Sequence, residues 1–350
     1  MLIETSEAKP QMLSIGNRQS QIGNMSRGVH RFALLLAGAT FFLIIAGALV
    51  TSHDAGLATS DWPLSNGQFF PKMVGNLFWE HGHRMVATTV GFLTVCFTVY
   101  LYWGQFCTWL HRHGLLRTEP VYRGEPRQWV RRLGAFALGT VIAQGLLGGL
   151  TVKLNLPLVV SAAHATLAQL FFCITVSLAV FTSRSWIQKQ PAIEEQGGLS
   201  IRYLGIAAAI MIFLQLIIGA TLRHSATWDQ PLPTDLLLTH IGGAIAVTLL
   251  LGSTALLLLR RYGGERFLTR PAKIALALLA VQLFLGLAAY ITRMASPNDP
   301  QPLNPMVGIT VAHVACGALV FATTIVLTLR TFKVLRAGAP SFEFATAERS

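Results

Sequence analysis

Trp79-Glu80-His81-Gly82-His83-Arg84 puts an acid, two imidazoles and a guanidinium at the head of an apolar run that continues from Met85 to Trp103. Ionisable side chains entering a membrane-length segment are costly to hold there, and by default they mark function. A histidine in that setting can ligate a metal or pass a proton. Glu80 stands three residues before His83, and residues i and i+3 share a helix face, so the acid can reach whatever His83 holds. His81 points away from His83 and reads as an interfacial side chain.

Three more histidines, His164, His240 and His313, follow at intervals of 81, 76 and 73 residues. Each stands near the start of an even-numbered apolar run, on the order of 10 Å below the outer surface at 1.5 Å per residue. The odd-numbered runs carry their own repeat: Gln144…Gly148, Gln215…Gly219 and Gln282…Gly286, with Leu43…Gly47 in the first. Glycine there permits close helix approach, and the amide can hydrogen-bond across helices. Two imidazoles per half, with no carboxylate or thiolate at matching positions, are too few for a structural zinc site. They suit the two axial positions of a haem, whose ring supplies the other four nitrogens. Gly82, Ala162, Ala163, Gly242, Gly243 and Gly317 beside the histidines read as space for a flat ring. The plain alternative is four interfacial histidines, each bonded to a neighbouring helix.

The four copies differ in one respect. Three residues before the histidine stand Glu80, Ser161, Leu237 and Thr310, and one residue after stand Arg84, Ala165, Ile241 and Val314. Only the first copy carries an acid and a guanidinium, which marks it as the reactive one. Pairing of Glu80 with Arg84, or with the helix dipole, is the structural alternative. Arg223 and Arg293 end the fifth and seventh runs near the depth where haem propionates would emerge. With Arg84 they are candidate propionate contacts, since Arg pairs well with carboxylates.

The elements that must position these groups are legible in the composition. Of 350 residues, 53% are apolar and only 12% charged, where soluble domains carry about a quarter charged. Eight runs reach the ~20 residues a span requires: Phe32–Val50, Leu77–Trp103, Leu133–Val152, Leu158–Thr182, Tyr203–Leu222, Leu236–Leu259, Ala272–Ile291 and Val307–Leu329. In lipid these are helices, because every backbone polar group must be satisfied within the segment. The expected fold is an all-α membrane protein of two pseudo-symmetric four-helix bundles, 32–182 and 203–330. A linker over 183–202 joins them, and tails cover 1–31 and 331–350.

The net charge of +12 invites a nucleic-acid reading, but 22 of the 27 Lys and Arg fall on one side of these spans. That asymmetry is the positive-inside rule, and it puts both termini in the cytoplasm. It reports topology and anionic-lipid contact, not DNA. The first 31 residues lack a short apolar core with a small-residue cleavage site and read as a flexible tail without a signal peptide. Cys96, Cys107, Cys173 and Cys316 all fall in or at the inner ends of spans. Cys96, Cys173 and Cys316 read as small buried apolar residues, and no disulfide framework is suggested. The outer stretch 51–76 holds His53, Asp54, Asp61-Trp62-Pro63 and Asn66-Gly67, and Trp62 could cover an outer pocket. His224, Asp229 and Asp299 read as solvated loop residues. No phosphate-binding loop is present, so ATP-driven function is not supported.

Gly47-Ala48-Leu49-Val50-Thr51, Gly56-Leu57, Asp61-Trp62-Pro63 and Glu80-His81-Gly82-His83-Arg84, with the three later histidines, resemble the haem A synthase family over nearly the whole chain. The resemblance implies oxidation of the C8 methyl of haem O to a formyl group by successive hydroxylations, the second giving a gem-diol that loses water. It implies substrate haem O between His83 and His164, haem b as cofactor between His240 and His313, and Glu80 as the catalytic residue near the oxidised methyl, in proton handling or positioning. A bacterial plasma membrane, or a mitochondrial inner membrane, would be the location, with the haem sites toward the extracytoplasmic side. A haem O synthase and an electron donor are the implied partners, and oligomers are compatible with it. Some members carry cysteine pairs in outer loops; this chain has none there. A di-haem electron-transfer cytochrome is the alternative function, and a transporter built from repeats is the third class.

Overall fold

The computed structural model describes residues 15–118, 126–195, 198–225, 232–295 and 303–336, with side chains from Arg27 onward. It is all-helical apart from one short strand pair. The long helices are α1 (Ile15–Ser52), α2 (Asn76–Arg112), α3 (Gln128–Lys153), α4 (Leu158–Thr182), α6 (Ile201–Ser225), α7 (Thr234–Arg261), α8 (Arg266–Ala295) and α9 (Asn304–Val334). Among the described residues, eight helices are long and apolar enough to cross a membrane, and the chain is a multi-pass membrane protein.

Hydropathy marks the spans but not the helix ends. Polar and basic termini continue the backbone bonding beyond the apolar run, so α2 extends to Arg112 and α9 to Val334. The largest departure is at the start: α1 begins at Ile15, inside the stretch expected to be a flexible tail. Residues 1–14 and most of the expected C-terminal tail, 337–350, lie outside the described residues, as do Asp229 and Asp299.

The connection expected as a plain linker is organised. It holds a short helix α5 (Arg184–Ile187) and a strand β1 (Ile193–Glu194), which pairs in parallel with β2 (Leu335–Arg336) directly after α9. Glu195 then caps α6: its carboxylate accepts from the Ser200 hydroxyl, the Ile201 N–H at 2.5 Å and the Arg202 guanidinium at 3.0 Å. Unsatisfied N–H groups at a helix start favour an acid there.

In the first half α1 packs on α2 and α4, and α3 on α2 and α4; in the second α6 packs on α7 and α9, and α8 on α7 and α9. Val29, Ala33, Leu36, Val90, Phe97, Leu101, Phe171 and Leu178 are among the core of the first set. A second core fills α6–α9 and reaches across to Ile44, Phe172 and Cys173. The halves therefore share packing through α1, α4, α6 and α9.

One helix carries a proline that hydropathy passes over. Pro271 lies inside α8 and, lacking an N–H, leaves the carbonyl four residues earlier without its helical donor. Arg330 of α9 supplies the bond, donating from Nη1 to the Phe267 carbonyl at 3.0 Å, with its guanidinium 4.6 Å over the Phe267 ring.

Candidate functional site

The first helix of each hairpin, α1, α3, α6 and α8, offers a glycine to the histidine of the helix that follows. A Cβ built on Gly47 would stand 3.1 Å from Cε1 of His83, and one on Gly148 3.0 Å from that of His164. Gly219 and His240 repeat the contact at 2.9 Å, and Gly286 and His313 at 3.0 Å. Four imidazoles thus lie edge-on against four glycines, and any larger residue would meet the ring.

The glutamines one turn earlier grip the same histidines. Gln144 Nε2 donates to the His164 carbonyl at 2.9 Å and lies 3.4 Å from a nitrogen of its ring. Gln215 Nε2 donates to the His240 carbonyl at 2.7 Å and lies 2.9 Å from Nδ1. Gln282 Nε2 is 3.3 Å from a ring nitrogen of His313. The amide does bond across the helix pair, as its spacing suggested, and its target is the histidine. This revises the role of two small residues expected to open space for a flat ring. A Cβ on Gly243 would collide with Oε1 of Gln215, and one on Gly317 would stand 3.3 Å from Nε2 of Gln282, so both make room for glutamine.

The histidines meet in pairs. His240 and His313 have ring centres 6.4 Å apart, with planes inclined at 70°, and His83 and His164 are electrostatic neighbours. Bonds of about 2 Å from metal to imidazole nitrogen, with about 1 Å more to each ring centre, put two axial imidazoles of one iron about 6 Å apart. The second pair has that separation. Nδ1 of His83, His164 and His313 is buried without a hydrogen-bond partner, which is costly unless another ligand takes the lone pair. Among the described residues, no three His, Cys, Asp or Glu side chains gather as a metal site. The donor set therefore fits a haem, which needs only two axial nitrogens from the protein.

Around the first pair the polar residues face an outer loop. Glu80, Oε1 paired with the Arg84 guanidinium, accepts from the Thr59 N–H at 3.0 Å through Oε2. Arg84 Nη1 donates to the carbonyls of Asp61 at 2.9 Å and Leu64 at 2.6 Å, and to Ser65 Oγ at 3.2 Å. His81 Nδ1 is 2.9 Å from the same Ser65 hydroxyl. His81 is therefore buried and structural, not interfacial. Arg84 directs its terminal nitrogens to the loop and to Glu80, and so holds the loop against the start of α2.

The loop has its own centre in Asp61. Its carboxylate accepts from the Thr59 hydroxyl, from the Gly67 N–H at 2.7 Å and from the Asn66 N–H at 3.0 Å. The Thr59 hydroxyl first, then the Gly67 N–H, hold its pKa well below the usual carboxylate range. Trp62 lies over α3, where a Cβ on Gly149 would stand 2.9 Å from its indole. His53 stacks on Trp79 at 4.1 Å, and burial lowers its pKa.

Arg223, at the end of α6, donates from Nη2 to the Thr51 carbonyl at 3.0 Å and to Ser52 Oγ at 3.3 Å. It ties the second half to the end of α1, with Asp54 and Arg293 as electrostatic neighbours. His224 is not a solvated loop residue: it belongs to α6, half-buried beside Arg223, and its electrostatic neighbours include His164. No signal in the sequence separates it from the polar residues that follow. Cys96 is half-buried, while Cys107, Cys173 and Cys316 are buried, and all four are free thiols.

Residues 73–228 match the family model described as "Cytochrome oxidase assembly protein". The chain is 23% identical over 289 residues to the Heme A synthase of Bacillus licheniformis, covering 77% of this chain and 88% of that one. With the Heme A synthase of Shouchella clausii the figures are 24% over 292 residues, 78% and 90%. With that of Bacillus pumilus they are 31% over 202 residues, 56% and 60%. The matched region of the family model contains Glu80, His83 and His164, and the two longer alignments cover most of both chains. The chain is thus similar to haem A synthases over most of its length.

Proposed function

We propose that the protein is a membrane oxidoreductase that converts haem O to haem A for cytochrome oxidase. The observation that carries this reading is the fourfold apposition of a histidine on a glycine, decorated by an acid and a guanidinium only at its first copy. Two haem-binding pairs of which one has a fixed carboxylate beside it are what oxidation of one haem with help from a second requires.

The architecture is read as a duplicated plan, 32–182 and 203–330, each half supplying one pair. His83 and His164 hold haem O as substrate, and His240 and His313 hold haem b as cofactor. When bound, the haem b supplies one-electron redox chemistry. Replacing the C8 methyl by formyl takes two hydroxylations, each inserting one oxygen atom and removing two electrons that an external oxidant takes up, and a final loss of water from the gem-diol. The chain's own part is positional and protonic. Glu80 is the catalytic carboxylate, fixed in one orientation by Arg84 and the Thr59 N–H, where it can hold or accept a proton from the reacting substituent. The loop held by Arg84 and His81 covers this side and restricts water. Arg223 and Arg293, at the ends of α6 and α8, are assigned to haem propionates. The charge asymmetry supports cytoplasmic termini and haem sites toward the extracytoplasmic side of a bacterial plasma membrane. A haem O synthase and an electron donor are the expected partners.

Selective depletion tests the assignment. His240→Ala and His313→Ala are expected to purify without haem B while retaining haem O or its products. Loss of haem O in those variants, with haem B retained, would reverse the assignment of the two sites.

A further inference from the structure

The loop between α1 and α2 is fastened at one end and bare at the other. Its first part, through Ser65, is tied to the start of α2 by Glu80, His81 and Arg84. Asn66 and Gly67, both at positive φ, then reverse the chain, and Ser65 and Gln68 exchange backbone bonds at 3.1 and 3.0 Å across them. Two central residues at positive φ are what a tight two-residue turn requires. The stretch that follows, up to Gly75, has no regular secondary structure, and in it Phe69 is 76%, Phe70 84% and Val74 69% exposed. Among the described residues Phe70 is the most exposed large apolar side chain. A contiguous exposed apolar patch of this kind marks a surface made for contact.

The course of the chain says what the patch meets. A Cβ built on Gly82 would stand 3.9 Å from Cε of Met73. The tip therefore folds back along α2 to its second turn, about 9 Å below the helix start at 1.5 Å per residue. Gly82 stands four residues after Phe78 and three before Met85, so the three share one helix face. That face stays apolar and open down the helix, with Phe78 49%, Met85 46% and Phe92 67% exposed at seven-residue spacing. In a multi-pass membrane protein such a stripe faces lipid, and the tip is continuous with it. Lys72 is exposed beside the two phenylalanines, and no acid stands between Trp62 and Trp79, which suits lipid phosphate. We propose that the Phe69–Phe70 tip is an interfacial anchor in the leaflet on its side of the membrane. The rings lie about 5–10 Å into the boundary of headgroups and acyl chains, with the Lys72 ammonium at the phosphates. The anchor flanks the turn that carries Glu80 and His83, and it does not depend on the haem reading of those residues.

Alkylation of a cysteine placed at the tip tests this on the full-length chain, one copy per nanodisc of phosphatidylcholine and phosphatidylglycerol. A membrane-impermeant maleimide reacts with the thiolate, which apolar surroundings suppress. Phe70→Cys is expected to react at least about 10-fold more slowly than Ser60→Cys, an exposed position in the fastened part of the loop. Wild type is the blank for the four native thiols, and Phe69→Cys gives a second reading of the tip. A fluorophore on Phe70→Cys should be quenched more by lipids brominated near the carboxyl end of the acyl chain than by lipids brominated near its methyl end. Equal alkylation of tip and control, or no quenching by either lipid, would overturn the proposal. So would a tip that reacts freely in nanodiscs and is protected only in native membranes, which would mean that another protein covers it. Protection that appears only with two copies per disc would assign the patch to a second copy and overturn the anchor as well.

Discussion

Gly286→Ala probes the histidine–glycine contact where its geometry is best defined. A methyl carbon there would stand 3.0 Å from His313 Cε1 and 3.5 Å from Nδ1, while carbon atoms pack best at about 3.5–4.0 Å. The ring must retreat by about 0.5 Å, either leaving its rotamer at about 0.5–1.5 kcal/mol or pushing α8 from α9 at the ~1–3 kcal/mol of an overpacked core. One to two kcal/mol, taken from ligation, weakens retention of the second haem by about 5–30-fold. The helix itself gains, since alanine is better than glycine there by up to about 1 kcal/mol. Thermal stability without haem should therefore hold or rise while haem retention falls, and that opposition separates a site effect from general damage. The assay is extracted haem B per protein after dilution in detergent, beside Gly252→Ala and Gly139→Ala, where a Cβ meets nothing within 4 Å. Wild-type haem retention in Gly286→Ala, or equal loss in the two controls, would refute the reasoning.

Glu80→Gln keeps the shape but loses the charge; it should retain both haems yet convert haem O at least about 100-fold more slowly, the lower range for a lost acid–base group, as read by chromatography of extracted haems. Asp61 is held ionised by the bonds it accepts. A carboxyl with a depressed folded pKa stabilises the fold above its unfolded value, near 4, and loses that effect as pH falls through the lower folded value. Proteolysis of the 53–75 loop should then stay flat from about pH 8 to about pH 5 in the wild type, and be faster in Asp61→Asn throughout. Arg330→Met leaves the Phe267 carbonyl beside Pro271 without its donor; a cost of about 1–3 kcal/mol should appear as a lower melting temperature with haem content unchanged.

The sequence made the spans and the four histidines legible, because both depend on short periodic signals: apolar length for a helix, and a hairpin-length interval for His83, His164, His240 and His313. The glutamine and glycine of the first helix in each hairpin were visible too, but not their target. The bonds of Gln215 and Gln282 to the histidines emerge only when the helices are paired, and so does the use of Gly243 and Gly317 as space for those amides. The outer loop was the least legible part. Arg84 meets Asp61 and Leu64, and His81 meets Ser65, across 16 to 23 residues of irregular chain. No periodicity announces such contacts, so His81 looked interfacial and the loop partners of Arg84 were not visible. The helical start of α1 and the pairing of β1 with β2 were hidden for the same reason: polar sequence carries little information about where backbone bonds close.

The central claim is that the first histidine pair holds haem O and oxidises it. The direct measurement is to produce the protein with a source of haem O, purify it, extract its haems and identify them by chromatography and mass. The expected result is haem B together with haem O, its hydroxylated form or haem A, with haem A depleted in Glu80→Gln. Haem B alone, unchanged when haem O is supplied, would contradict the claim and favour an electron-transfer cytochrome; no haem at all would contradict both.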